Sequence, residues 1–171
     1  MKTAKSSRLL STAIFTFLLL LTVCTFSYSQ DKAITQTKES QDKTTPSDAL
    51  QLLKEGNKRF VENVMYHRDL PEQMHATAKG QYPFAIVLSC IDSRVAPEIT
   101  FDEGLGDIFD ARIAGNFVND DILGSMEFAC KVTGAKLILV MGHTNCGAIK
   151  GAIDDAQLGN MTQMLTKIKP A

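Results

Sequence analysis

A chain of 171 residues has room for one ordinary domain of about 100–200 residues. Its 44% hydrophobic content is enough to build a core, which excludes a wholly disordered chain. The net charge is −1, and residues 1–29 hold three bases and no acid, so the remainder stands at −4; with no basic stripe, nucleic acid and anionic membrane are excluded as partners.

Lys2, Lys5 and Arg8 precede an apolar run from Leu9 to Phe26, and Ser27-Tyr28-Ser29 follows with small residues. That order predicts a secretory signal peptide over residues 1–29, removed on export to leave a periplasmic or extracellular chain with no membrane segment. The run nears the length of a short transmembrane helix, so an uncleaved anchor is the alternative. Cys24 is less suited as a lipid acceptor because Val23 before it is bulky.

Residues 30–46 are polar and repetitive and read as a flexible linker. The domain is then expected over residues 47–171. Ser47 is a suitable helix N-cap. Ala49, Leu52, Leu53, Gly56, Phe60 and Val64 recur near helical spacing, predicting an amphipathic helix.

The segment Phe84-Ala85-Ile86-Val87-Leu88-Ser89 is a short apolar run of the buried-strand kind. Residues 107–113 form a weaker second strand, 122–132 a helix ending at Gly134, and 136–141 the clearest strand. A further helix can start at Cys146. Met161, Met164, Leu165 and Ile168 have helical spacing as well. Strands alternating with helices predict an α/β fold: a mostly parallel sheet flanked by helices that cover its faces.

Outside the signal segment the cysteines are Cys90, Cys130 and Cys146. An odd number in an exported chain argues against a disulfide framework, although oxidation of Cys90 with Cys146 competes in such a compartment. Cys130 lies in an apolar helical pattern and reads as a small buried hydrophobe.

Two motifs carry chemistry: Cys90-Ile91-Asp92-Ser93-Arg94 after the first strand, and His143-Thr144-Asn145-Cys146 after the third. Ligand sites of open α/β sheets lie at the carboxyl ends of strands, so residues distant in sequence can meet there. Two thiols, an imidazole and a carboxylate match the donor set of zinc. A shell whose ligands stay fixed is structural. One whose carboxylate can leave is catalytic, and Arg94, two residues after Asp92, is a natural partner for a departing carboxylate.

On these motifs, together with Ala111-Arg112-Ile113-Ala114-Gly115-Asn116 and the continuation Gly147-Ala148-Ile149-Lys150-Gly151, the chain resembles the β-class carbonic anhydrases from about Ser47 to Gly151. The resemblance implies zinc bound by Cys90, His143 and Cys146, with Asp92 as a switchable fourth ligand. It implies Asp92 and Arg94 as the catalytic pair, Gln81 and Gly147 at the substrate, and hydration of carbon dioxide to bicarbonate and a proton. It also implies a homodimer or higher homo-oligomer. Family members continue through further helices and another strand, so a C-terminally shortened fold with exposed strand and apolar surface is expected. Two other classes stay open: a structural zinc or thiol-redox protein, and a hydrolase of another small linear substrate such as carbon disulfide.

Overall fold

The computed structural model describes residues 35–170. The segment read as a signal peptide lies outside them. Among the described residues, no helix is long and apolar enough to cross a membrane.

The stretch read as a linker is structured where it is described. Helix α1, Lys38–Lys43, is opened by a Thr37–Ser40 capping box. Its Gln41 is buried and donates from Nε2 to the Pro83 and Thr133 carbonyls, at 2.8 Å each. The polar composition misled because this amide side chain is satisfied inside the fold rather than by water. Helix α2, Pro46–Val61, starts earlier than expected. Its cap is Thr45, not Ser47: Thr45 Oγ1 accepts from the Asp48 N–H while the Asp48 carboxylate accepts from the Thr45 N–H. Pro46 takes the first helical position, where its missing N–H costs nothing.

Ala49, Leu53 and Gly56 are the buried stripe of α2. Phe60 is partly exposed, and Val64 lies beyond the helix in solvent. Helix α3, Leu70–Thr77, follows, and then strand β1, Ala85–Ser89, buried at every residue. A short helix α4, Pro97–Thr100, leads to β2, Ile108–Arg112. Asn119 caps α5, Asp120–Glu127. This helix runs into a π-helical turn, Phe128–Val132, in which the Thr133 N–H reaches back to the Phe128 carbonyl. Strand β3 is Leu137–Met141, and helices α6, Gly147–Ile153, and α7, Gly159–Thr166, complete the described chain.

The three strands form a parallel sheet in the order β2-β1-β3. Parallel strands need crossovers, and each crossover here is helical, as the alternating pattern predicted. Ile86 and Leu88 face one way, into a cluster with Ala111, Met126 and Ala129. Phe84 and Ala85 pack the opposite way, against Ala49 and Leu53 of α2. A third cluster ties α6 to α7 through Ala152, Leu165 and Ile168. Cys130 packs half-buried against the first cluster, close to its expected place.

The expectation of covered faces fails at β3. Leu137 and Leu139 pack on the α2 side. Ile138 and Val140, paired in register with Ile86 and Leu88, are 46% and 60% exposed. Helices thus cover both faces of β1 but only one face of β3.

Candidate metal centre

The centre is built where β1 and β3 end. Parallel pairing puts Ser89 opposite Met141, so Cys90 and His143 emerge from the same edge of the sheet. Asn145 adopts a left-handed φ of 57°, a conformation that Asn tolerates better than most residues. The turn it makes returns Cys146, the N-cap residue of α6, to the same spot. The ligand atoms of Cys90, His143 and Cys146 all lie within 4.8 Å of one another. The two sulfurs are 3.9 Å apart and all three described cysteines are free. A disulfide would need about 2.05 Å, whereas a common tetrahedral ion with bonds of about 2.3 Å to sulfur suits the observed gap.

The imidazole settles how well these residues fit a metal. His143 Nδ1 lies 3.0 Å from the Thr144 carbonyl, which fixes the proton on Nδ1 and leaves the Nε2 lone pair free to ligate. Nε2 is buried and makes no hydrogen bond. A buried polar atom without a partner is costly, and here it belongs to a group with two sulfurs. The donor set therefore fits zinc.

The electrostatics of Cys90 point the same way. Burial pushes the Cys90 thiol up, but the Gly115 N–H, the neighbouring His143 imidazole and the Asp92 backbone outweigh it and bring it to about 7, below the usual 9.0. The thiolate, the ligating form, is thereby favoured. His143 is raised, chiefly by its interaction with Cys90. Gly115 donates its N–H to Cys90 Sγ at 3.4 Å. Its φ of +81° favours glycine, and the Ile168 methyl 2.6 Å from where a Cβ would stand would have to turn away.

Asp92 stands apart from the three-atom group. Oδ1 accepts from Arg94 N–H and Nε at 3.0 and 2.9 Å, and Oδ2 from Nη2 at 2.7 Å. The carboxylate is held well below the usual range, first by hydrogen bonds from Arg94. Its nearer approach to the centre is 3.8 Å, from Oδ2 to His143 Nδ1. Of the four candidate ligands the structure brings three together; Asp92, the one read as switchable, lies on Arg94, whose bidentate guanidinium takes both its oxygens.

Gly147 follows Cys146 directly, and a Cβ added to it would meet nothing within 4 Å. Gln81 is exposed on the segment before β1, at the opposite end of that strand from Cys90. Five residues of strand span about 16 Å, so one copy does not bring Gln81 to its own centre. Three contributors escaped sequence reasoning: the Gly115 N–H, the Thr144 carbonyl, and Arg112. Arg112 donates from Nε to the Cys90 carbonyl at 2.9 Å and from Nη2 to the Asp92 carbonyl at 2.7 Å. Backbone groups leave no mark on a sequence, and Arg112 stood within the Ala111–Asn116 motif without a role.

Comparison with known proteins agrees with this geometry. The family model described as carbonic anhydrase matches residues 85–171. Carbonic anhydrase 2 of Mycobacterium tuberculosis is 42% identical over 134 residues, covering 75% of this chain and 65% of the relative. Beta carbonic anhydrase 3 of Arabidopsis thaliana is 32% identical over 143 residues, 78% of this chain and 54% of the relative. Among solved structures, a tetrameric β-carbonic anhydrase from Sordaria macrospora aligns at a TM-score of 0.55 and 28% identity, over 58% of this chain and 53% of that one. The Coccomyxa β-carbonic anhydrase in complex with acetazolamide aligns at 0.54 and 26% identity, over 71% and 56%. The chain belongs to the β-carbonic anhydrase family. It spans 65% of the length of the tuberculosis relative.

Proposed function

We propose that this chain is a carbonic anhydrase: with zinc held by Cys90, His143 and Cys146, it interconverts carbon dioxide with bicarbonate and a proton. The observation that carries the reading is the convergence of two sulfurs and an unpartnered buried imidazole nitrogen beside an Asp92–Arg94 pair. Bound zinc supplies Lewis acidity, which makes water a nucleophile near neutral pH.

The chain's own residues do the rest. Arg94 keeps Asp92 ionised and fixed in direction. Asp92 accepts a hydrogen bond from the attacking water and aims its lone pair at the carbon, a positioning effect. The space over Gly147 admits a small linear substrate beside Cys146. Gln81 reaches a centre only from another copy, so a homo-oligomer is part of the proposal. Export through residues 1–29 would place the reaction outside the cytoplasm, which cell fractionation tests.

The decisive experiment is metal analysis with stopped-flow carbon dioxide hydration on the purified chain. One zinc per chain with hydration supports the reading; zinc without hydration leaves a structural or thiol-redox protein. Asp92→Ala is expected to keep its zinc and lose about 100-fold or more in kcat/KM. Undiminished hydration in that variant would sink the role of Asp92.

A further inference from the structure

The loop that carries both Cys90 and Asp92 has one side-chain anchor from a neighbouring strand. Arg112 is the last residue of β2 and lies opposite Ser89 in register. Its side chain crosses the end of the sheet and grips two carbonyls of the loop, those of Cys90 and Asp92. These are the residue that offers a sulfur to the centre and the residue whose carboxylate Arg94 holds. Ile91 between them is 61% exposed, so packing does not hold the loop at its middle. The Asp92 carbonyl also accepts from the Val95 N–H at 3.2 Å, and this local turn sits on the same anchor.

We infer that Arg112 is a positioning residue: its guanidinium fork fixes the Cys90–Asp92 backbone so that the Asp92 carboxylate stays on Arg94 rather than on the metal. The inference rests on the proposed carbonic anhydrase reading for its catalytic consequence, though not for the clamp itself. Two donors set rigidly in one plane can satisfy two carbonyls at once. A lysine ammonium is a single flexible point of charge and cannot replace the fork. Released from Arg112, the segment about Ile91 is free to turn, and the carboxylate that already approaches His143 to 3.8 Å can enter the coordination shell.

The test compares the full-length chain with Arg112→Lys and Arg112→Gln. Hydrogen exchange of the peptide covering residues 90–95 reads the clamp, in zinc-free and zinc-loaded protein. Exchange of the Arg94 and Val95 amides is expected to rise at least tenfold in both variants, with β1 and β3 unchanged. In the zinc-loaded variants, kcat is expected to fall at least tenfold at near-constant KM, with one zinc per chain retained. Free guanidinium at millimolar concentration should restore part of kcat to Arg112→Gln and none to the parent. Unchanged loop exchange overturns the clamp. Faster loop exchange with unchanged kcat overturns the positioning role. A global rise in exchange across β1 and β3 overturns it also, as the mark of a merely structural residue. A parent chain without hydration activity would refute the proposed function, and the exchange measurement would still decide the clamp.

Discussion

At the scale of single residues, the buried charges outside the metal centre govern how stability responds to pH. Asp102 is fully buried with a left-handed φ of 48°. It receives Arg59 and Arg68, whose guanidinium groups both lie over the Tyr66 ring. Glu103 follows, and burial together with the Asp107 charge raises its pKa from 4.5 to about 8 despite Arg68 and Arg59 nearby. The folded chain therefore holds a proton that the unfolded chain has already released. The stability this confers is complete below about pH 4.5 and is lost as pH rises through about 8. Glu103→Gln is expected to flatten the fall in urea midpoint between pH 5 and pH 8. A slope equal to that of the parent would show that Glu103 is not its source. The meeting of Cys90, His143 and Cys146 was legible in the sequence, because short motifs at the carboxyl ends of neighbouring parallel strands come together. The place of Asp92 was not, since whether a carboxylate sits on a metal or on an arginine turns on ångström geometry that residue identity does not encode.

At the scale of elements, α2 is located by one close approach. A Cβ on Gly56 would lie 1.7 Å from the Phe101 carbonyl oxygen, where no side chain fits. Gly56→Ala should therefore push the helix off the segment after α4 and cost about 1–3 kcal/mol, measurable by chemical denaturation. A variant as stable as the parent would mean that the contact is not tight. The strands and α2 could be read from apolar periodicity. Helix α1 could not, because its anchoring residue is the polar Gln41 and amphipathic pattern is silent on a buried amide. The true start of α2 was legible in principle, since Thr45-Pro46-Ser47-Asp48 has the spacing of a capping box with an early proline. The π-helical turn at Phe128–Val132 has no comparable signature, and the apolar spacing there suits either helix.

At the scale of the whole molecule, the sheet is covered unevenly, and this divides its apolar residues into two energetic kinds. Leu88 is 1% exposed in the central strand, whereas Val140 beside it in register is 60% exposed. Leu88→Ala should cost about 2–5 kcal/mol, and Val140→Thr less than about 0.5 kcal/mol, both from denaturant midpoints at low protein concentration. A large cost at Val140 would show that this face is packed. The apolar run 136–141 signalled a strand correctly, but a strand's composition does not reveal what lies against its second face. The central position of β1 also has a kinetic consequence. Both of its neighbours come later in the chain, β2 first and β3 second, and His143 and Cys146 follow β3. As the chain emerges from the ribosome N-terminus first, Cys90 waits with one edge of its strand unpaired until a loop of about fifty residues has closed, the slow class of folding step. The three-residue site proposed for zinc is complete only after that closure, so the rate at which zinc becomes tightly held during refolding is expected to be a clock for the arrival of β3.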